Sequence, residues 1–256
     1  MIPCRKAMSI ADWFKPKLKN SNWRVRLAAV AHVTDQSVLA DIAKHDNSPQ
    51  VCGAAVALVT DQSVLVDIAK NAGGYSGSMA VRRVTDQSLL ADIAKNDGNL
   101  SVRGEALEHM TDQSLLADIA KSANDSKVCE AAAKRVTDQS LLADIAKNAS
   151  DKLARCAAIC NGWDKMDQSL LADIAKNDED SGVRASAVLR VTDQSLLADI
   201  AKNDEDSYVR AQAISRLTDQ RLLAVIILKH CKEGRLSYEG MIANLRLESL
   251  GGHCRH

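Results

Sequence analysis

Aromatic residues are scarce in this chain, at 3% of the sequence with a single phenylalanine, and the alternation of apolar and polar residues that marks a half-buried strand is nearly absent. Both absences argue against a sheet-based core. No apolar run is long enough to cross a membrane, and the N-terminus, Met-Ile-Pro-Cys-Arg-Lys, lacks the apolar stretch of a signal peptide. Charge of one sign is also missing: 33 Lys and Arg balance 33 Asp and Glu. That balance excludes a broadly basic surface for nucleic acid or anionic lipid. The seven cysteines are an odd number without framework spacing, as expected of reduced thiols in a cytoplasmic protein.

What the chain has in abundance is repetition. The stretch Thr-Asp-Gln-Ser-Leu-Leu-Ala-Asp-Ile-Ala-Lys, with small variations, begins at Thr34, Thr60, Thr85, Thr111, Thr137, Met166, Thr192 and Thr218. Successive starts lie 25 or 26 residues apart, except for 29 between Thr137 and Met166. A period of this size means a stacked array of small units. Within the first copy Val38, Leu39, Ile42 and Ala43 share one helical face while Asp41 and Lys44 point away. Thr34 is placed to cap this helix, with Asp35 in its first turn and Lys44 in its last. Asp41 and Lys44 have the spacing of an intrahelical pair. In the sixth copy Met166 has no hydroxyl, so Asp167 is expected to cap instead.

A second helical segment precedes each of these starts. Its alignment puts alanine at Ala29, Ala55, Ala80, Ala106, Ala132, Ala158, Ala187 and Ala213, each followed by an apolar residue. A small residue at one fixed position predicts a helix that another helix approaches closely. Two helices of roughly ten residues are marginal alone, so neighbouring units must stack to bury their apolar faces. The expected fold is all-α: a right-handed α-α superhelix of about eight two-helix repeats. It divides into an N-terminal cap over residues 1–22, the array over 23–228 and a C-terminal capping helix and tail over 229–256. Trp13, Phe14 and Trp23 are expected to plug the first exposed end. Between Asn71 and Ser78 the sequence predicts a longer loop and a shortened second helix, and a final helix is expected from near Ser237 through Leu250.

Aspartate on the first helix together with Val-Arg-x-x-Ala on the second, as in Val183-Arg184-Ala185-Ser186-Ala187, resembles HEAT-like repeats. The resemblance spans roughly residues 23–228, although each unit is shorter than a typical HEAT repeat. The short period is also similar to the variant leucine-rich repeat of bacteria. That family can carry an iron–sulfur cluster on N-terminal cysteines, and here only Cys4 stands there, so no cofactor carries over. The HEAT-like resemblance implies that Arg26, Arg103, Arg155, Arg184 and Arg210 bond to acidic groups of neighbouring units, with Cys52 and Cys129 substituting in that column. The Asp41, Asp67, Asp92, Asp118, Asp144, Asp173 and Asp199 column is either their partner or a solvated stripe. The resemblance further implies that second helices line the concave face where partners bind.

The positions flanking the invariant alanine vary from unit to unit, which implies solvent or ligand. Candidate partner-binding residues are Arg82, Arg83, Glu105, Glu108, His109, Lys134, Arg135, Leu189, Arg190, Gln212 and Arg216, with Trp163 in the three-residue insertion. Recurrent arginines (Arg83, Arg135, Arg190, Arg216) suit an acidic protein or peptide, and serve equally to satisfy helix C-termini. His230, Cys231, His253, Cys254 and His256 are metal-ligand types without a strong spacing motif, as are Cys156 and Cys160. No nucleophile motif, glycine-rich phosphate loop or His-Glu pair of iron-dependent hydroxylases occurs. The sequence therefore predicts a non-catalytic interaction scaffold with no metal, cofactor, nucleic acid or membrane. A purely structural or designed array, or a HEAT-like lyase or DNA glycosylase, stays open beside it.

Overall fold

A computed structural model describes residues 17–72, 74–162, 164–229, 231–232 and 235–251. After a 3-10 turn at Lys17–Lys19, the helices are α1 (Trp23–Val30), α2 (Gln36–His45), α3 (Pro49–Leu58), α4 (Gln62–Ala72), α5 (Gly74–Val81), α6 (Gln87–Asn96), α7 (Leu100–His109) and α8 (Gln113–Ser122). They continue with α9 (Ser126–Arg135), α10 (Gln139–Asn148), α11 (Lys152–Asn161), α12 (Gln168–Asn177), α13 (Ser181–Val188), α14 (Gln194–Asn203), α15 (Ser207–Arg216), α16 (Gln220–Lys229) and α17 (Tyr238–Ser249). Even-numbered helices arise from the repeated eleven-residue stretch and are the first helices of their pairs; odd-numbered ones carry the alanine column. The chain is an all-α helical-repeat array, and it falls into two compact units meeting within α8, one ending at Ile119 and the other starting at Ala120.

The first helices begin one residue later than the sequence suggests. Asp35, not Thr34, is the N-cap of α2: its carboxylate accepts from the amides of Ser37 (2.9 Å) and Val38 (3.3 Å), and the Ser37 hydroxyl donates to it at 2.6 Å. The same geometry recurs at Asp86, Asp138, Asp167 and Asp193. An anionic oxygen reaching two orphan amides, at the positive end of the helix dipole, outcompetes a hydroxyl. Asp167 therefore follows a general rule and is no substitute for a missing threonine.

In the unit ending at Ile119, each first helix packs on the second helix that follows it, and α1, α3, α5 and α7 pack in series. Their alanines Ala29, Ala55, Ala80 and Ala106 have no exposed surface. The stretch after Asn71 differs from expectation: α4 runs on to Ala72 and only residue 73 separates it from α5, so the connection is shorter, not longer. The shortened second helix is present, eight residues long. Gly77 explains the tight fit, since a Cβ there would lie 3.0 Å from the Ala69 carbonyl oxygen and 3.2 Å from Val102 Cγ2.

In the unit starting at Ala120, the second helices α9, α11, α13, α15 and α17 touch one another more extensively than the first helices do, because Ala132, Ala158, Ala187 and Ala213 are wholly buried and let the backbones approach. The three-residue insertion forms a turn in which the amides of Lys165 and Met166 bond to the Gly162 carbonyl at 3.2 and 2.9 Å. Met166 folds inward, at 7% exposure. A two-stranded antiparallel hairpin, β1 (Cys231–Lys232) and β2 (Arg235–Leu236), links α16 to α17. Strands of two residues are too short to leave an alternating pattern, which is why the sequence gives no sign of them. Helix α17, which starts beside Ser237 as expected and is capped by it, takes the place of a further second helix, with Ala243 at 0% exposure in the alanine column. The N-terminal residues Trp13 and Phe14 lie outside the described residues; Trp23, the first residue of α1, is half-buried, with the Arg24 guanidinium 4.8 Å from its ring centre.

Candidate interaction surface

Two charged ladders run through the units, and neither has the membership expected. The arginine column does reach into the next pair of helices, but its partner is an aspartate in the loop between helices rather than the Asp41 column. Arg26 clamps Asp46 with Nε and Nη2 at 2.7 and 2.8 Å. Arg155 holds Asp178 at 2.9 and 3.0 Å, and Arg184 holds Asp204 at 3.0 Å through both nitrogens. Arg210 bonds to Glu239 of α17. Each arginine also ties its own preceding loop, as Arg184 Nη1 does to the carbonyls of Asp178 and Glu179. These pairs are desolvated, with Arg184 and Asp204 side chains 6% and 7% exposed. Charge-assisted bidentate bonds of this kind fix geometry strongly. The Arg26 guanidinium holds the Asp46 carboxyl below its usual range, and Arg210 does the same to Glu239.

Where cysteine replaces arginine, half of the arrangement survives. Cys52 Sγ donates to the Asp46 carbonyl at 3.1 Å and Cys129 Sγ to the Ala123 carbonyl at 3.2 Å, the position that Arg103 Nη1 occupies on the Asp97 carbonyl. Burial pushes both thiols up. The other exception is Gly77, which stands where the arginine facing Asp97 belongs. Asp97 is 6% exposed; its Oδ1 accepts from the Asn99 amide at 2.8 Å, and its Oδ2 has no donor among the described residues.

The Asp41 column pairs with lysine instead, and across pairs of helices rather than within one. Lys44 reaches Asp67 at 2.8 Å, Lys70 Asp92 at 2.6 Å, Lys121 Asp144 at 2.8 Å and Lys176 Asp199 at 3.7 Å. An asparagine one turn on braces several of these carboxylates, as Asn96 does Asp92 and Asn148 does Asp144, both four residues apart. The lysine hydrogen bond is the main cause that lowers the carboxyls of Asp67, Asp92 and Asp144. Exposed pairs contribute little individually, yet they occupy the polar groups of the first helices. Glutamine completes the set: Gln36 Oε1 accepts from the Thr60 amide at 2.8 Å, Gln87 from Thr111 at 2.7 Å, Gln168 from Thr192 at 3.0 Å and Gln194 from Thr218 at 2.7 Å. Sequence reasoning missed this link and the loop aspartates. The recurrence of Gln after Thr-Asp, and of Asp after Lys-Asn, was their signal.

The candidate residues on the second helices separate into three groups. Arg82, Glu105 and His109 form one cluster: Arg82 Nε lies 2.6 Å from Glu105 Oε1, and His109 Nε2 3.1 Å from the same oxygen. Exposed Glu108 lies beside them on α7. Arg83 turns inward and donates to the Val56 carbonyl at the end of α3. Asn161 does the same for the end of α9, to the carbonyls of Lys134 and Val136, and Arg246 for that of α15, to Leu217. Arginine in this column thus satisfies a neighbouring helix terminus. In the second unit Lys134 pairs with Glu130 at 2.6 Å. Leu189 is 36% exposed, Arg135, Arg190 and Gln212 are half-buried, and Arg216 is exposed with no hydrogen bond or ion pair among the described residues.

Trp163, His230, His253, Cys254 and His256 lie outside the described residues, as does the side chain of Cys231. Cys156 is half-buried and accepts from the Ser186 hydroxyl at 3.6 Å, and burial raises its thiol; Cys160 is exposed. Among the described residues no three His, Cys, Asp or Glu side chains are placed to hold a metal ion, and no helix is long and apolar enough to cross a membrane. No protein-family model matches the chain, and no curated protein is similar to it.

Proposed function

We propose that this chain is a non-catalytic interaction scaffold of HEAT-like type, cytoplasmic, which binds a protein or peptide through the exposed residues of its second helices. One contrast carries the reading. The first helices are nearly identical from copy to copy and use their polar side chains on one another through the lysine–aspartate and glutamine–threonine links. The second helices keep the buried alanine constant but vary at the outward positions that follow it: Arg82, Glu108, Lys134, Leu189 and Ser215. Variation on an exposed face beside an invariant packing face is what a recognition surface requires, since contact residues must differ where a partner differs. The HEAT-like likeness draws support from the arginine–aspartate ladder.

The preference for an acidic partner narrows to fewer residues. Arg83 is used on the Val56 carbonyl and Arg82 is neutralised by Glu105. Arg216 is the arginine that we retain as a contact. The reading is tested by recovering partners from native lysate with the wild type and with single Arg82→Glu, Leu189→Glu and Arg216→Glu variants, each checked for helicity by circular dichroism. A partner recovered by the wild type and reduced about tenfold by a variant, the loss of one hot-spot contact, supports the surface. Recovery that is unchanged in all three variants, or no partner at all, overturns it.

A further inference from the structure

One junction of the arginine ladder keeps its carboxylate and lacks its cation. Asp97 follows Gly77 by 20 residues, the separation of Asp46 from Arg26 and of Asp204 from Arg184. Glycine therefore stands where arginine clamps the equivalent carboxylate. The acceptor half is nevertheless built in full. The backbone at Asp97 has φ −65° and ψ 140°, against −68° and 138° at Asp46, −64° and 137° at Asp178, and −59° and 139° at Asp204. Its Oδ1 accepts from the amide two residues on at 2.8 Å, as at Asp46 (2.8 Å), Asp178 (2.9 Å) and Asp204 (2.9 Å). Its carbonyl takes Nη1 of Arg103 at 2.9 Å, as those of Asp178 and Asp204 take Nη1 of Arg184 and Arg210 at 3.0 and 2.9 Å.

Four loops thus hold one carboxylate in one pose. In three of them arginine Nε and Nη2 lie 2.7–3.0 Å from its two oxygens. In the fourth, Oδ2 is buried with no donor among the described residues. A carboxylate oxygen taken out of water without a partner is costly, and an acceptor already held in its bound pose loses little on binding. The group that this pose fits is planar and presents two parallel N–H bonds, which a compact ammonium does not. Residue 77 has no room to supply it, since even a Cβ there would lie 3.0 Å from the Ala69 carbonyl oxygen. We propose that Asp97 is the floor of a guanidinium site, filled from outside the chain. Entry requires the loop to part beside Gly98, which is exposed and has nothing within 4 Å of an added Cβ. The site lies in the α6–α7 loop and stands apart from the variable surface of the second helices.

The experiment is isothermal titration calorimetry of the full chain with methylguanidinium, methylammonium, urea and a blocked Gly-Arg-Gly peptide. Methylguanidinium is expected to bind once per chain, at least about tenfold tighter than methylammonium. At ten times its dissociation constant it raises the melting temperature by about 3–5 °C. Asp97→Asn and Asp97→Ala, which remove an unpaired buried charge and are checked for folding by circular dichroism, lose the binding. Peptide binding that is also lost in these variants assigns the site to an arginine side chain of a partner; binding of methylguanidinium without the peptide assigns it to a small free cation. No saturable binding of methylguanidinium by the wild type, equal binding of urea or methylammonium, or binding undiminished in either folded variant would each overturn the proposal.

Discussion

Thr85 and Asp86 stand side by side at the start of α6 and do different work. Asp86 caps the helix through the amides of Ser88 (2.8 Å) and Leu89 (3.2 Å), whereas Thr85 is held mainly by its own backbone amide on Gln62 Oε1 at 2.9 Å, its hydroxyl lying 3.4 Å from the same oxygen. Asp86→Ala is therefore expected to lower the melting temperature by about 2–4 °C, the usual effect of losing an N-cap in a chain of this size. Thr85→Val keeps the amide bond and leaves the melting temperature unchanged. Differential scanning calorimetry on the two variants checks the assignment; a larger loss at Thr85 would restore the threonine cap that the sequence suggested.

At the scale of the helix, two glycines make opposite predictions from the same substitution. Gly104 lies inside α7 with nothing within 4 Å of an added Cβ, while Gly77 lies inside α5 against the Ala69 carbonyl. Gly104→Ala is expected to stabilise by about 0.5–1 kcal/mol through the unfolded chain's lost freedom. Gly77→Ala is expected to destabilise, since α5 must move away from the end of α4. Urea unfolding separates the two, and equal signs would contradict the packing at α5. These helices also show how far the sequence can be read. The pairing of helices, the buried alanine column and the place of α17 were legible because periodicity and a fixed small residue leave a direct trace. The partners of the arginines and of the Asp41 column were not, because a side chain of six or seven atoms can reach either of two carboxylates a turn apart. Loop geometry decides between them, and Asp178 and Asp204, each two residues ahead of an N-cap, are the ones brought within range of Arg155 and Arg184. For the candidate surface the sequence showed which positions vary. It could not show that Arg83 points into a neighbouring helix end while Arg216 does not.

Across the whole molecule the carboxylates set the response to pH. Asp61, Asp86, Asp138 and Asp167 are lowered chiefly by the following serine hydroxyl, Asp67, Asp92 and Asp144 by lysine, and Asp46 and Glu239 by arginine. A group whose folded pKa lies below its unfolded one gives stability that is complete above the unfolded value and is lost as pH falls through the folded value. Stability is thus expected to hold from neutral pH down to about 4 and to decline below it, with many small losses merging into one broad transition. Urea midpoints measured at falling pH test this; a decline beginning near pH 6 would point to histidine instead.

The glutamine link has a consequence for how such a chain can change. Gln36, Gln87, Gln168 and Gln194 each meet the next threonine in the same way, on stretches of nearly identical sequence. A cross-over between two copies in the gene would delete or duplicate one period and leave a junction with the same bonds as every other. The exception follows Gln139: the inserted turn puts Met166 on the Gly162 carbonyl, and Gln139 Oε1 is buried without a donor among the described residues. The number of periods is open to editing along the array, and the turn after Gln139 is a seam at which a splice would not be silent.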